Sequence, residues 1–430
     1  MTVSIKPLEY RAGCTTFAEW VTLFTLCLAP LIAHIISGTV PASHLAHGRP
    51  KWHDSICHYN PTSIVWRYAA LVDRRLRAKN WSPNDLAASN AIFWTSRGWN
   101  GDESMVALAT PYRVQCPESS HISIFSFTML KTVIVTLQGV AALYSLTGSF
   151  KHADINNPAI AMGLDAIFFP LAILGLLRLC AAAWLAEDFS YMYTENVLQH
   201  SAKQNELLNE DGIPLIHTAE EYDPWLMTPP QSQGGFRTPN SSWISCVFRT
   251  FYLLLCFGVW IISFLSTIPL PGQQGVFSFT SFLVGIFYFV FLSVSNLTYV
   301  FYFLCGKTTT TIIPCISSTW YKVYTILLMA MILVLIIISA IETQRGPDGH
   351  YKSLTYPLAL DCKAKSQWGI VSPSHNFSGV ISSVTNSYDM AGSKIMGSPL
   401  FEAGNNTASS NESFWRFDFT GYCVGKLGGA

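Results

Sequence analysis

Within fifteen residues, the stretch HLAHGRPKWHDSICH brings together His44, His47, His53, Cys57 and His58. Neutral imidazole and thiolate are the ligands that zinc prefers, so these five side chains are the candidate metal set. Their intervals match no standard zinc module, and polar residues leaving a membrane at headgroup level would give the same composition. No metal and no other cofactor is therefore expected. Two further candidates lie inside apolar runs, Asp165 and Asn296. An ionisable group in hydrocarbon is a functional hypothesis by default, which makes Asp165 the residue that a transport or proton role would use. Asn296 is expected to bond to a neighbouring helix. Lys131, Arg178 and Arg249 also fall within or beside apolar runs, where long side chains reach back to the headgroups. The usual enzyme signatures (H-E-x-x-H, G-x-S-x-G, a P-loop, C-x-x-C) do not occur in the sequence, and no catalytic residue is assigned.

The elements that would position these residues follow from composition. Half of the 430 residues are hydrophobic and 12% are charged, about half the charged fraction of a soluble domain. Six runs approach or exceed the ~18–20 residues that cross a bilayer: 20–37, 130–147, 159–185, 251–268, 277–304 and 323–341. Each must be helical, because an isolated strand would leave its backbone unpaired in lipid. The expected architecture is an all-α membrane protein. A short outer segment (1–19) leads into the first span, a basic loop (38–129) follows it, an acidic linker (186–250) precedes the fourth span, and a long C-terminal region (342–430) follows the sixth.

Six crossings put both termini on one side. The C-terminal region carries N-x-[S/T] acceptors at Asn376, Asn405 and Asn411 and two cysteines, Cys362 and Cys423, which favours an oxidising compartment, glycosylation and one disulfide. The positive-inside rule agrees. With the termini outside, residues 38–129, 186–250 and 305–322, together with the helix ends facing them, hold 16 Lys and Arg residues, against Lys151 alone in the outer connections. Asn240-Ser-Ser would then be cytosolic, and Asn296-Leu-Thr lies within a span. The competing reading takes residues 1–42 as a cleaved signal peptide, leaving five spans. Its apolar stretch exceeds the 7–15 residues of such a peptide, and both charge and sequons would then lie on the wrong sides. The spans fit a plasma-membrane, secretory-pathway or vacuolar location.

Residues 66–81, WRYAALVDRRLRAKNW, concentrate Arg67, Arg74, Arg75, Arg77 and Lys79 between two tryptophans. On a helix, Val65, Ala69, Val72 and Leu76 form one stripe and the arginines fall opposite. Two readings fit. A basic amphipathic helix suits the headgroups of an anionic leaflet, whereas a small cytosolic subdomain would pack the stripe against the next helix, which is signalled by Ser82, Pro83 and Asp85. The stretch from Arg49 to Trp99, with the following span and the LRLCAAAWLAED end of the third, resembles uncharacterised multi-pass integral membrane proteins of filamentous fungi. The resemblance covers about a third of the chain and implies a fungal origin without implying an activity. Between Glu187 and Asp223 stand nine acidic residues and one lysine, the composition of a solvated linker. Taken together, these features favour a non-enzymatic membrane protein with the lipid bilayer, anionic headgroups and other membrane proteins as partners and no nucleic acid. Solute or ion transport through Asp165 is the alternative.

Overall fold

The first helix starts at a capping box. The Thr16 side chain accepts from Glu19 N while the Glu19 carboxylate accepts from Thr16 N, and the helix then runs Phe17–Gly38. The structure, a computed structural model, describes residues 3–12, 15–45, 48–152, 162–191, 235–267, 275–345, 351–353, 414–417 and 423–427. Among these it is mostly helical, with six segments long and apolar enough to cross a membrane: Phe17–Gly38, Phe127–Thr147, Leu164–Trp184, Trp243–Phe264, Phe279–Leu304 and Thr319–Glu342. Successive spans run in opposite directions and pack as neighbours, the fourth on the fifth and the fifth on the sixth.

The bundle has two differently built ends. At one, the short strand Val3–Ile5 pairs in parallel with Gly275–Phe277. There Glu342, at the end of the sixth span, accepts from Thr280 N at 2.8 Å, and Arg345 pairs with Glu19 at 3.5 Å. At the other end lie residues 39–45, 48–126, 185–191, 235–242 and 305–318. They include a three-stranded sheet in which Ala42–His44 is parallel to Ile92–Thr95, which is antiparallel to Gly98–Asn100. In the C-terminal region, Phe414–Phe417 pairs with Cys423–Leu427; Cys362, Asn376, Asn405 and Asn411 lie outside the described residues.

The third span departs from the expected continuous helix over 159–185. A 3₁₀ turn at Leu164–Ala166 precedes the helix Phe169–Gly175, and tighter turns follow in which Leu176 N, Leu177 N, Leu179 N and Cys180 N each reach back three residues. Such winding raises the advance per residue above the α-helical 1.5 Å, to about 2 Å. Asp165 is the second residue of this segment. It is half-buried at the bundle's end, beside Leu164, whose N–H donates to Thr343 Oγ1 at 2.9 Å.

The helix Pro61–Arg77 is built into the bundle. Asn60 caps it by accepting from Thr62 N, and Pro61 occupies its first position, where no N–H is needed. Its first turn reaches past the ends of three spans. Thr62 Oγ1 lies 2.8 Å from Ser295 Oγ, Asn60 Nδ2 donates to Thr325 Oγ1 at 2.9 Å, and Tyr252 donates to Val65 O at 2.7 Å. Ser295 and Tyr252 are nine residues from the ends of their helices, a depth of ~13 Å at about 1.5 Å per residue. This helix is buried on all sides from Pro61 to Arg74, with Trp66, Arg74 and, in its last turn, Arg77 fully enclosed and Arg67 at 5% exposure.

Gly38 is where the first span meets this inserted helix. A Cβ there would overlap the Ile64 side chain, whereas one at Gly48 would meet nothing within 4 Å. Gly38→Val is expected to lower stability by about 1–3 kcal/mol through overpacking, measured by thermal unfolding of the detergent-solubilised chain. Gly48→Val should leave the midpoint unchanged.

Candidate functional site

An α-helix leaves its last carbonyl oxygens without intrahelical donors, and its C-terminus carries roughly half a negative elementary charge. The first and fifth spans end in this way at the same end of the bundle, and so does the helix Pro83–Asn90 inside the loop. Arginines supply side-chain donors to these carbonyls, beside backbone caps at the fifth span, where Lys307 N donates to Tyr302 O at 2.9 Å and Gly306 N to Phe303 O at 3.2 Å. Arg67 donates to Gly38 O at 2.9 Å and to Asn90 O at 3.2 Å. Arg178 donates to Ser37 O, and to Thr132 Oγ1 at 2.8 Å. Arg249 donates to Phe303 O at 2.9 Å and to Pro239 O at 2.7 Å.

The last turn of the inserted helix ties in the loops. Arg74 donates to Gly101 O, to Thr309 O at 2.6 Å and to Ser89 Oγ at 3.2 Å. Arg77 bonds Asp73 at 2.8 Å, one turn back on the same helix, and also reaches Glu103, Arg237 O and Thr308 O. Asp73 is fully buried and also accepts from Ser245 Oγ. Burial draws the Arg67 and Arg74 guanidinium groups down to about 10, still well above neutrality. Burial pulls Arg77 down too, but Glu103 and Asp73 outweigh it and hold that group above its ordinary value.

Of the two readings of residues 66–81, these contacts contradict the headgroup-facing one at Arg67, Arg74 and Arg77. Arg67, Arg74 and Arg77 are enclosed by protein and bond to it. Trp66 packs on Tyr299, Tyr302 and Phe303 rather than on lipid. Arg75 is half-buried over the Trp81 ring, 5.5 Å from its centroid, and Lys79 is exposed. Arg178 and Arg249 likewise turn inward instead of reaching for headgroups, and Lys131 pairs with Glu187 at 2.8 Å. The physical reason is common to all of them. A guanidinium has five N–H donors in a rigid fork, which carbonyl oxygens satisfy as well as water does.

The histidine stretch is dispersed. His44 ends a strand and is half-buried; burial, then Arg49, holds its ring below its usual range. His53 lies 3.5 Å from Asp54, which pairs with Lys322 at 2.5 Å. The Cys57 thiol donates to His53 O, while His58 sits edge-on to Trp99, with its ring centroid 4.3 Å away. His47 is outside the described residues. Among the described residues no three His, Cys, Asp or Glu side chains converge as a ligand set would. Asn296 is buried, and its Nδ2 has no partner among the described residues. The interhelical bond expected of it is made by its neighbour Ser295. Asp73, Asn90, Gly101 and Glu103 were not singled out from sequence. The four-residue spacing of Asp73 and Arg77 was the one local signal for any of them.

Comparison with protein-family models, with curated proteins and with solved structures finds no match. The site is therefore defined by its own geometry, a buried set of arginines whose fixed donors join helix ends to loops.

Removing one member of a buried ion pair strands the other charge, at about 3–5 kcal/mol. Arg77→Met is expected to destabilise the protein by that order in denaturant titration. Lys79→Met, on the exposed position two residues on, should stay within about 0.5 kcal/mol.

Proposed function

We propose that this chain is a non-enzymatic, multi-pass membrane protein whose arginine-bonded end is a rigid cytosolic platform for partner proteins. The observation that carries this reading is where the buried charge goes. The guanidinium groups of Arg67, Arg74, Arg77, Arg178 and Arg249 bond to the chain's own oxygens. Residues 39–45, 48–126, 235–242 and 305–318 are thereby joined into one surface.

Charge supports the orientation. The described Lys and Arg residues at the platform end number fifteen, from Arg49 to Lys322; the opposite end holds Lys6, Arg11, Lys151, Arg345 and Lys352, and the C-terminal strands carry Arg416 and Lys426. The positive-inside rule then favours a cytosolic platform, outer termini and a glycosylated C-terminal region closed by Cys362–Cys423, in a plasma, secretory-pathway or vacuolar membrane. The resemblance to fungal membrane proteins is compatible with such a location. Asp165, near one end of its span rather than at mid-depth, gives the transport alternative less support, since transporters gather polar groups near the midplane.

Two measurements test the orientation. A membrane-impermeant maleimide should label the exposed Cys246 and Cys305 only after cells are permeabilised. Glycosidase should shift the gel mobility of the wild-type chain but not of the Asn376/Asn405/Asn411→Gln variant. Labelling of Cys246 or Cys305 in intact cells carrying the Cys14→Ser variant would reverse the assignment, and an unshifted wild type would remove its glycosylation support.

The anionic headgroups expected at residues 66–81 fit Arg49 and Lys51 better. Both are exposed, beside Trp52 at 69% exposure and Tyr59 at 45%. The Asp54–Lys322 pair holds this segment level with the first turn of the sixth span, the depth at which aromatic and basic side chains meet lipid. Arg49→Gln with Lys51→Gln should reduce anionic phospholipid co-purifying with the protein, and Arg75→Gln should not. Equal retention by both variants would remove this role.

A further inference from the structure

Arg67 and Arg74 are buried arginines whose Nε–H lacks a partner among the described residues, and Arg67 is the one of the two that lines a cavity. Its terminal nitrogens donate to Gly38 O, Asn90 O and Asn90 Oδ1, but its Nε–H has no partner among the described residues. His58 Nε2 is also enclosed and also lacks one. Buried polar atoms in folded proteins are nearly always paired, with protein or with ordered water. Both residues line one small cavity of about 10 Å³ at the platform end, together with Thr39, Ser63 and Thr311; Gly38 and isoleucine side chains complete the wall. That is about the least volume that holds a single water molecule.

The lining chemistry separates water from an anion. Each of the three hydroxyls spends its hydrogen elsewhere: Thr39 Oγ1 donates to Ile35 O, Ser63 Oγ to Cys57 O, and Thr311 Oγ1 to Gly101 O. With their hydrogens so placed, Thr39 and Thr311 have only lone pairs to offer the cavity, while Ser63 Oγ also lies 2.7 Å from the Tyr321 hydroxyl. Burial lowers the His58 ring to about 3, so it is neutral at neutral pH, and Nε2 is free to accept when the ring proton is on Nδ1. The site thus offers one charged donor and several acceptors. An anion would take the donor and be opposed by the lone pairs, whereas a molecule that accepts once and donates twice satisfies both. We propose that this cavity binds one structural water molecule, which accepts from Arg67 Nε–H and donates to His58 Nε2. The water gives the Arg67 Nε–H its partner and couples the Ile56–Tyr59 turn to the end of the first span.

An experimental structure of the full chain in lipid nanodiscs, at a resolution that reveals water, tests this directly. One density peak within ~3.2 Å of both nitrogens is expected. An empty cavity, or a direct contact between the two side chains, would overturn the proposal. Crystals of the full chain grown with bromide in place of chloride should show no anomalous peak at the site; a peak there makes it a halide site and also overturns the water. In His58→Phe the peak should vanish while Arg67 keeps its bond to Gly38 O. Persistence of the peak in that variant would exclude His58 as a partner.

Discussion

The carbonyl oxygens at the ends of buried helices are the constraint on which this structure depends. Where a span ends in water, its last carbonyls are hydrated without cost. Here the first span ends against other protein, under the inserted helix Pro61–Arg77 and its loops, where bulk water is excluded, and on the fifth span Phe303 is buried in the same way. An unpaired carbonyl in such a place forfeits a full hydrogen bond, and the helix dipole adds negative charge at the same point. A buried cation with several donors answers both needs at once. Arginine suits this better than lysine, because its planar fork reaches two or three oxygens from one rigid group and it is more weakly hydrated than an ammonium.

The same requirement explains why the arginines tolerate burial. An isolated guanidinium is expensive to remove from water, and among the described residues neither Arg67 nor Arg178 has a carboxylate within ion-pair distance. Their compensation is distributed over backbone oxygens and the partial charges of helix ends. Arg77 is held differently, between Asp73 and Glu103, and this ion-paired group anchors the far end of the same helix. The two modes meet along one helix, dipole-compensated at Arg67 and carboxylate-compensated at Arg77.

The six apolar segments were legible in the sequence because a bilayer-spanning run is a matter of length and composition, both local. The wrapping of residues 39–45 and 48–126 was not. An arginine opposite an apolar stripe gives the same pattern whether the acceptor is water, a headgroup or a carbonyl from a distant loop, and Gly101, Thr308 and Thr309 announce nothing about offering one. The start of the inserted helix at Asn60-Pro61 was not read from the sequence either, and its depth is set by Thr62 meeting Ser295 and Tyr252 meeting Val65 O across long separations. The broken winding of the third span was equally hidden, since FFPLAILGLLRLCAAAW is apolar at either rise per residue.

The first turn of the inserted helix poses the opposite electrostatic problem. Its N-terminal end points into the bundle, where free N–H groups would also be orphaned. Proline at the first position removes one donor and Asn60 Oδ1 satisfies another, leaving a short polar collar rather than a charge. Tyr299, Tyr321 and Tyr324 close that collar with hydroxyls that reach Thr62 and Ser63. A neutral cap at depth and cationic side chains toward the bundle's end follow the dielectric gradient that the spans impose. The helix can be drawn inward only as far as hydroxyls suffice to cap it, and outward only as far as the carbonyls its arginines must reach. Its depth is therefore fixed from both ends.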